Sequence, residues 1–180
     1  MPANDERRGS SQRDGSGGAM GSAVARRIYA IEAWCLGCKR CEVACRVAHS
    51  ETGDPVKAYN HEAGLAPSRI TVEGDAFLSI AVNCRHCDHP RCVEGCISGA
   101  MGKDPVTGTV TSDPARCVGC RTCVSMCPFG AVKVVRAGLR DKALKCDLCG
   151  MSPEDGGMAL PSCVEACPNR ALVYLESEVA

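Results

Sequence analysis

Apolar positions along this chain come in short runs, each ended by a segment dense in cysteine and polar residues. Arg27 to Ile31 alternates in the manner of a strand, and Phe77 to Val82 is an apolar run of strand length. Arg69 to Val72, the turn and strand of Asp104 to Thr111, Ala131 to Val135 and Ala171 to Leu175 read as further short strands. Val43, Ala44, Val47 and Ala48 recur at helical spacing, so a helix starts among the first cysteines and continues beyond them. Gly138 to Lys145 is expected as a polar connection with a helical or turn-like tendency. Glu51 to Gly74, which holds His61, is punctuated by Gly and Pro and is longer than a connection requires. It reads either as a partner-docking surface or as a plain surface insertion. Gly150 to Ser162 has the composition of an exposed loop, and residues 1–23, rich in Gly, Ser and charge, that of a disordered tail.

Only 3% of residues are aromatic while 16 are cysteine, so cross-links or metals replace hydrophobic mass in the core. The 180 residues suffice for one domain or two very small ones. Basic and acidic side chains balance at 21 each, which gives no footing for nucleic acid or an anionic membrane surface as partner. No run of ~18 uninterrupted apolar residues offers a membrane span. Arg7-Arg8 is followed by Gly, Ser, Gln and Asp where an export signal needs an apolar segment, so the expected location is the cytoplasm. In that reducing compartment this many thiols are metal ligands before they are disulfides. There is no Gly-rich phosphate cradle, nucleophile elbow or dinucleotide fingerprint, and no catalytic residue is expected.

Cys117, Cys120, Cys123 and Cys127 stand at C-x2-C-x2-C-x3-C with Pro128 behind them, the iron-sulfur ligand run of bacterial ferredoxins. Cys35, Cys38, Cys41 and Cys45 repeat that spacing, with Arg46 in place of the proline. Cys84, Cys87, Cys92 and Cys96 have two additional residues between the second and third cysteines and end on Ile97. Cys146 and Cys149 are followed, after a 13-residue excursion, by Cys163, Cys167 and Pro168. Strand plus cysteine motif is thus repeated four times, and the four motifs use all 16 cysteines. Four cubane clusters with complete thiolate ligation require that number. In such runs the first three cysteines ligate one cluster and the fourth is carried away to another, so motifs work in pairs and exchange fourth ligands. Spacing leaves open which motif pairs with which. Zinc ribbons also use C-x2-C pairs, but three cysteines in register followed by C-x3-C suit a single tetrahedral ion poorly.

The strings AWCLGCKRCEVAC, AVNCRHCDHPRCVEGCISGAM, CVGCRTCVSMCPFGAV and LKCDLC with CVEACPNRAL resemble the four-cluster electron-transfer subunits of bacterial oxidoreductases. Within that group they are most similar to the ferredoxin-like iron-sulfur subunit that serves nickel carbon monoxide dehydrogenase. The small subunit of tungsten aldehyde oxidoreductases and the beta subunits of molybdopterin oxidoreductases are near neighbours. The likeness runs from about residue 26 to 176. It implies an α+β fold of two bacterial-ferredoxin-like dicluster modules, one inserted in the other, with short strands and helices around four cubane clusters. The outer module would comprise residues 24–83 and 136–180, with motifs one and four, and the inner module residues 84–135, with motifs two and three.

On that resemblance, cluster one takes Cys35, Cys38, Cys41 and Cys167, and its mate, cluster four, takes Cys146, Cys149, Cys163 and Cys45. Cluster two takes Cys84, Cys87, Cys92 and Cys127, and cluster three Cys117, Cys120, Cys123 and Cys96. The departures at Arg46 and Ile97 bear only on the local turn. The function implied is that of a non-catalytic subunit relaying single electrons in an anaerobic setting. Its partners would be a catalytic oxidoreductase subunit, carbon monoxide dehydrogenase in the first place, and a second redox protein, a hydrogenase or a flavin/nicotinamide oxidoreductase. A subunit of a tungsten or molybdenum oxidoreductase or of a hydrogenase is the alternative, and a zinc-binding interaction protein the alternative of a different class. His86 and His89 are expected at the surface or in hydrogen bonds rather than as ligands, His49 and His61 in loops, and Trp34 in packing, with shielding of a cluster edge or contact with a partner as its other role. Lys39, Arg40, Arg85, Arg91 and Arg121 bring positive charge near the thiolates, either to steer an acidic redox partner or as a solvated face.

Overall fold

The computed structural model describes residues 24–62, 66–75, 77–150 and 160–178; the expected tail over 1–23 and most of the loop after Gly150 lie outside the described residues. Strands run over Val24–Ala30 (β1), Thr71–Gly74 (β2), Ser79–Val82 (β3) and Met101–Lys103 (β4). Val110–Ser112 (β5), Lys133–Ala137 (β6), Arg140–Leu144 (β7) and Leu172–Glu178 (β8) follow. Helices cover Arg40–Ala48 (α1), Pro55–Asn60 (α2), Arg91–Glu94 (α3), Thr122–Met126 (α4) and Ser162–Glu165 (α5). Among the described residues no helix is long and apolar enough to cross a membrane.

The strands form separate antiparallel ribbons, β1 with β8, β2 with β3, β4 with β5 and β6 with β7. The outermost strands therefore meet, with Ile28 opposite Tyr174. A lone two-stranded ribbon is only marginally stable, so each leans on a core built partly of sulfur. Ile28, Ile70, Leu148 and Leu172 pack with Cys41, Cys45, Cys84, Cys146 and Cys163 in one core. Met101, Val110, Val132 and Ala143 pack with Cys92 and Cys123 in the other. The short helices that carry the cysteines pair accordingly: α1 lies against α5, and α3 against α4. Ile28 is completely buried, and Ile28→Ala should lower stability by roughly 2–5 kcal/mol, read as a fall in the thermal midpoint of the intact holoprotein.

Two stretches differ from their sequence expectation. Residues 140–144 form strand β7 instead of a helical or turn-like connection. Gly138, at φ 64°, lets the chain reverse tightly, and only Ala143 of this strand is buried, so no apolar alternation advertises it. Glu51 to Gly74 is more ordered than a plain insertion. Asp54 accepts a hydrogen bond from the Lys57 backbone N–H at 2.9 Å, Pro55 occupies the first turn, and helix α2 follows. The buried Glu62 carboxylate then accepts from the Glu51 N–H at 2.7 Å and the Thr52 hydroxyl at 2.7 Å, folding the segment back on itself. His61 is exposed at the C-terminal end of α2.

Candidate metal centres

Left-handed backbone recurs between the cysteines of every motif. Gly37 (φ 64°) and Lys39 (φ 59°) curl the first, His86 (φ 43°) the second, Gly119 (φ 77°) and Arg121 (φ 61°) the third, and Leu148 (φ 58°) the last. Such residues reverse the chain within a few positions, so successive thiols can face one point. Gly119 also permits close approach, because a Cβ there would stand 2.5 Å from the Asp141 carbonyl oxygen.

The thiols gather across motifs. Cys35, Cys38 and Cys41 line one cavity together with Cys167, in an empty volume of about 390 Å³. Cys84, Cys87 and Cys92 line another with Cys127, in about 460 Å³. Cys117, Cys120 and Cys123 line a third with Cys96, in about 370 Å³. Cys45, Cys146, Cys149 and Cys163 make the fourth group: burial, then the charges of Cys45 and Cys149, push the Cys163 thiol far up, and burial, Cys163, Cys84 and Cys45 do the same to Cys146. These groups are called rings one, two, three and four in the order of the clusters expected above. Among the described residues, no group of three or more His, Cys, Asp or Glu side chains is placed to hold a single metal ion.

Burial makes the innermost thiols of the rings reluctant to ionise without a cation, whereas hydrogen bonds favour ionisation of Cys96 and Cys120. Burial pushes the Cys41 thiol up to about 11, burial raises Cys84, and burial with the charges of Cys117 and Cys120 raises Cys123. Thiolates packed in a poorly polar interior need compensating positive charge at their centre, which iron supplies. The backbone is already arranged for sulfur anions. N–H groups of Arg69, His86, Met101, Ala143 and Ala171 donate to Cys45, Cys84, Cys96, Cys117 and Cys167 at 3.3, 3.4, 3.4, 3.4 and 3.2 Å. Burial opposes ionisation of Cys45, but hydrogen bonds from His49 and the Arg69 N–H win and lower its pKa. An all-thiol donor set, cavities each lined by four cysteines and N–H groups aimed at sulfur fit iron-sulfur cubes.

Several polar side chains around the rings were not evident from sequence. Lys145 is buried, 5% exposed, with Nζ 3.5 Å from Cys92 Sγ. Burial lowers its pKa, yet the charges of Cys84 and Cys92 outweigh that and hold it as ammonium. His49 lies in the turn that caps α1, outside the helix as expected, and there it meets the Cys45 carbonyl through Nδ1 at 2.7 Å and Asp147 through Nε2 at 3.0 Å. Despite burial, those partners raise its pKa to about 10, so both ring nitrogens donate. Arg69 completes the pair on Asp147. Of the two places expected for it, His86 takes the hydrogen-bonding one, in the core: its Nδ1 accepts from the Val110 N–H at 2.9 Å, and burial pushes its pKa down to about 4. Trp34 is 51% exposed and lines the mouth of ring one.

Residues 76–177 match the family described as 4Fe-4S dicluster domain. The "Putative electron transport protein YsaA" of Escherichia coli (strain K12) is 39% identical over 85% of this chain and 91% of its own length. "Electron transport protein HydN" of the same strain is 39% identical over 84% of this chain and 88% of its own. An "Iron-sulfur protein" of Rhodospirillum rubrum is 37% identical over 81% and 79%.

Proposed function

Since the chain belongs to the 4Fe-4S dicluster domain family and is an iron-sulfur protein of the electron-transport kind, we propose that it relays single electrons between a catalytic oxidoreductase subunit and a second redox protein, holding four [4Fe-4S] clusters in two nested modules. The observation that carries this reading is the gathering of thiols from paired motifs: three cavities each lined by four cysteines, three from one motif and the fourth from its mate. Ring one would hold its cluster through Cys35, Cys38, Cys41 and Cys167, and ring four through Cys146, Cys149, Cys163 and Cys45. Ring two would use Cys84, Cys87, Cys92 and Cys127, and ring three Cys117, Cys120, Cys123 and Cys96. When bound, each cluster supplies a reversible one-electron couple.

The chain's own residues order, insulate and tune these sites. In this reading the rings follow one another in the order one, four, two, three. Supporting that order, Cys163 of ring four feels the charge of Cys41 in ring one, Cys146 of ring four that of Cys84 in ring two, and Cys123 of ring three that of Cys92 in ring two. The end rings each have one exposed cysteine, Cys38 and Cys120, whereas the middle rings have none. Electrons therefore enter and leave at rings one and three, and buried sulfur separates the interior from water. The catalytic partner we assign is carbon monoxide dehydrogenase, on the strength of the motif strings around the cysteines.

Anaerobically purified protein should contain iron and acid-labile sulfide each near ~16 per chain, with visible absorption that bleaches on reduction. About 8 of each would leave only a dicluster protein, and a colourless protein holding zinc would end the proposal. Copurification with carbon monoxide dehydrogenase tests the partner separately.

A further inference from the structure

The two exposed ends differ in chemistry. The mouth of ring one is framed by Trp34 and Leu36, 51% and 66% exposed, with Pro168 beside them. The mouth of ring three is framed by Val118, Gly119 and Arg121 around the exposed Cys120. Guanidiniums crowd that second mouth. Arg121 and Arg136, 63% and 74% exposed, both engage the same Asp141 carboxylate, so one anion faces two cations. Arg140 is exposed next to Asp141 on β7, and Arg116 is exposed next to Cys117, its guanidinium reaching Gly99 behind Cys96. Lys142 adds another cation, donating to the Cys117 carbonyl at 2.6 Å. Asp113 is the remaining carboxylate of these segments, and its Oδ1 is engaged by the Ala115 N–H at 2.8 Å. Exposed Val118 and Leu139 lie within this basic border, the arrangement of an apolar contact spot with a charged rim.

Resting on the relay proposed above, we infer that the ring-three end is a docking surface for an acidic, diffusing protein electron carrier, captured by the basic rim around Cys120. A reduced iron-sulfur site is anionic and would repel a carrier with an acidic border; the arginines offset that repulsion and speed encounter without requiring a large permanent interface. The ring-one end, where Trp34 and Leu36 rather than a cluster of arginines frame the mouth, takes no part in this exchange.

The test uses reduced holoprotein and two protein oxidants of opposite charge, acidic plastocyanin and basic cytochrome c, mixed in stopped flow at several ionic strengths. One electron leaves the protein and reduces Cu(II) to Cu(I) in plastocyanin or Fe(III) to Fe(II) in cytochrome c, with no proton required. At low salt the plastocyanin rate should be high and fall as salt is added. Arg116→Glu combined with Arg140→Glu should cut it about tenfold at low salt and flatten its salt dependence. Cytochrome c should not slow, and Arg40→Glu, an exposed charge at the start of α1 on the ring-one side, should leave the plastocyanin rate within about twofold. A plastocyanin rate indifferent to the double reversal, or equally sensitive to Arg40→Glu, overturns the inference while leaving the relay intact. Milder Arg116→Gln with Arg140→Gln should give a smaller loss in the same direction; loss of iron from both double variants would show that these arginines serve folding, which also overturns it. Absence of reducible iron from the unmodified protein would instead sink the relay reading itself.

Discussion

Replacing Cys96 by Ala should remove the same cluster as replacing Cys120 by Ala, although the two residues belong to different motifs. Cys96 lines the cavity of Cys117, Cys120 and Cys123, whereas Cys127, the last cysteine of that motif, lines the cavity of Cys84, Cys87 and Cys92. Each single change should take iron from ~16 to ~12 per chain and erase one and the same signal in the electron paramagnetic resonance of the reduced protein. Cys127→Ala should erase a different signal, the one that Cys87→Ala erases. If Cys96→Ala instead matches Cys87→Ala, the motifs do not exchange fourth ligands and the ring assignment fails. Ring three is the favourable place for the measurement, because Cys120 is exposed and its loss opens little of the core.

Lys145→Met should lower the midpoint potential of the ring-two cluster on the order of 100 mV, while Lys145→Arg should retain most of the original value. An ammonium within reach of two ring-two sulfurs favours the more negative, reduced state, and the effect follows from a unit charge acting over several ångströms at an effective dielectric near 20. Because Lys145 is buried, water screens little of it. Methionine keeps the length and apolar stem, so packing alone would leave the potential in place. Potentiometric titration followed by spectroscopy distinguishes the two: iron content unchanged, one couple displaced downward, and the others moved less. A potential that stays put in Lys145→Met, with iron intact, would show that the charge is screened or compensated.

How much of this was legible beforehand depends on whether the signal was local. The cysteine spacing announced the four thiol-bearing motifs, and the helix through Val43 and Val47 is present as α1. Strand β7 was illegible because Arg140, Asp141 and Lys142 are polar and only Ala143 is buried; its partner β6 supplies the reason for its extended form. Helix α2 could have been found, since Asp54 followed by Pro55 is a start signal that composition alone obscured. The roles of Lys145, His86 and His49 depend on partners far along the chain, namely Cys92, Val110 and Asp147. Nothing in a polar residue's immediate neighbours says that folding will bury it against a distant sulfur.

The pairing of β1 with β8 sets a timetable for biogenesis. A nascent chain leaving the ribosome presents β1 long before β8, and the sheet they share must wait until β8 has emerged. On the proposed ligation, rings two and three have all their thiols once Cys127 has emerged, whereas rings one and four stay open until Cys163 and Cys167 follow. Maturation factors that insert iron would therefore meet a half-loaded intermediate, and truncation ahead of Cys163 should trap it.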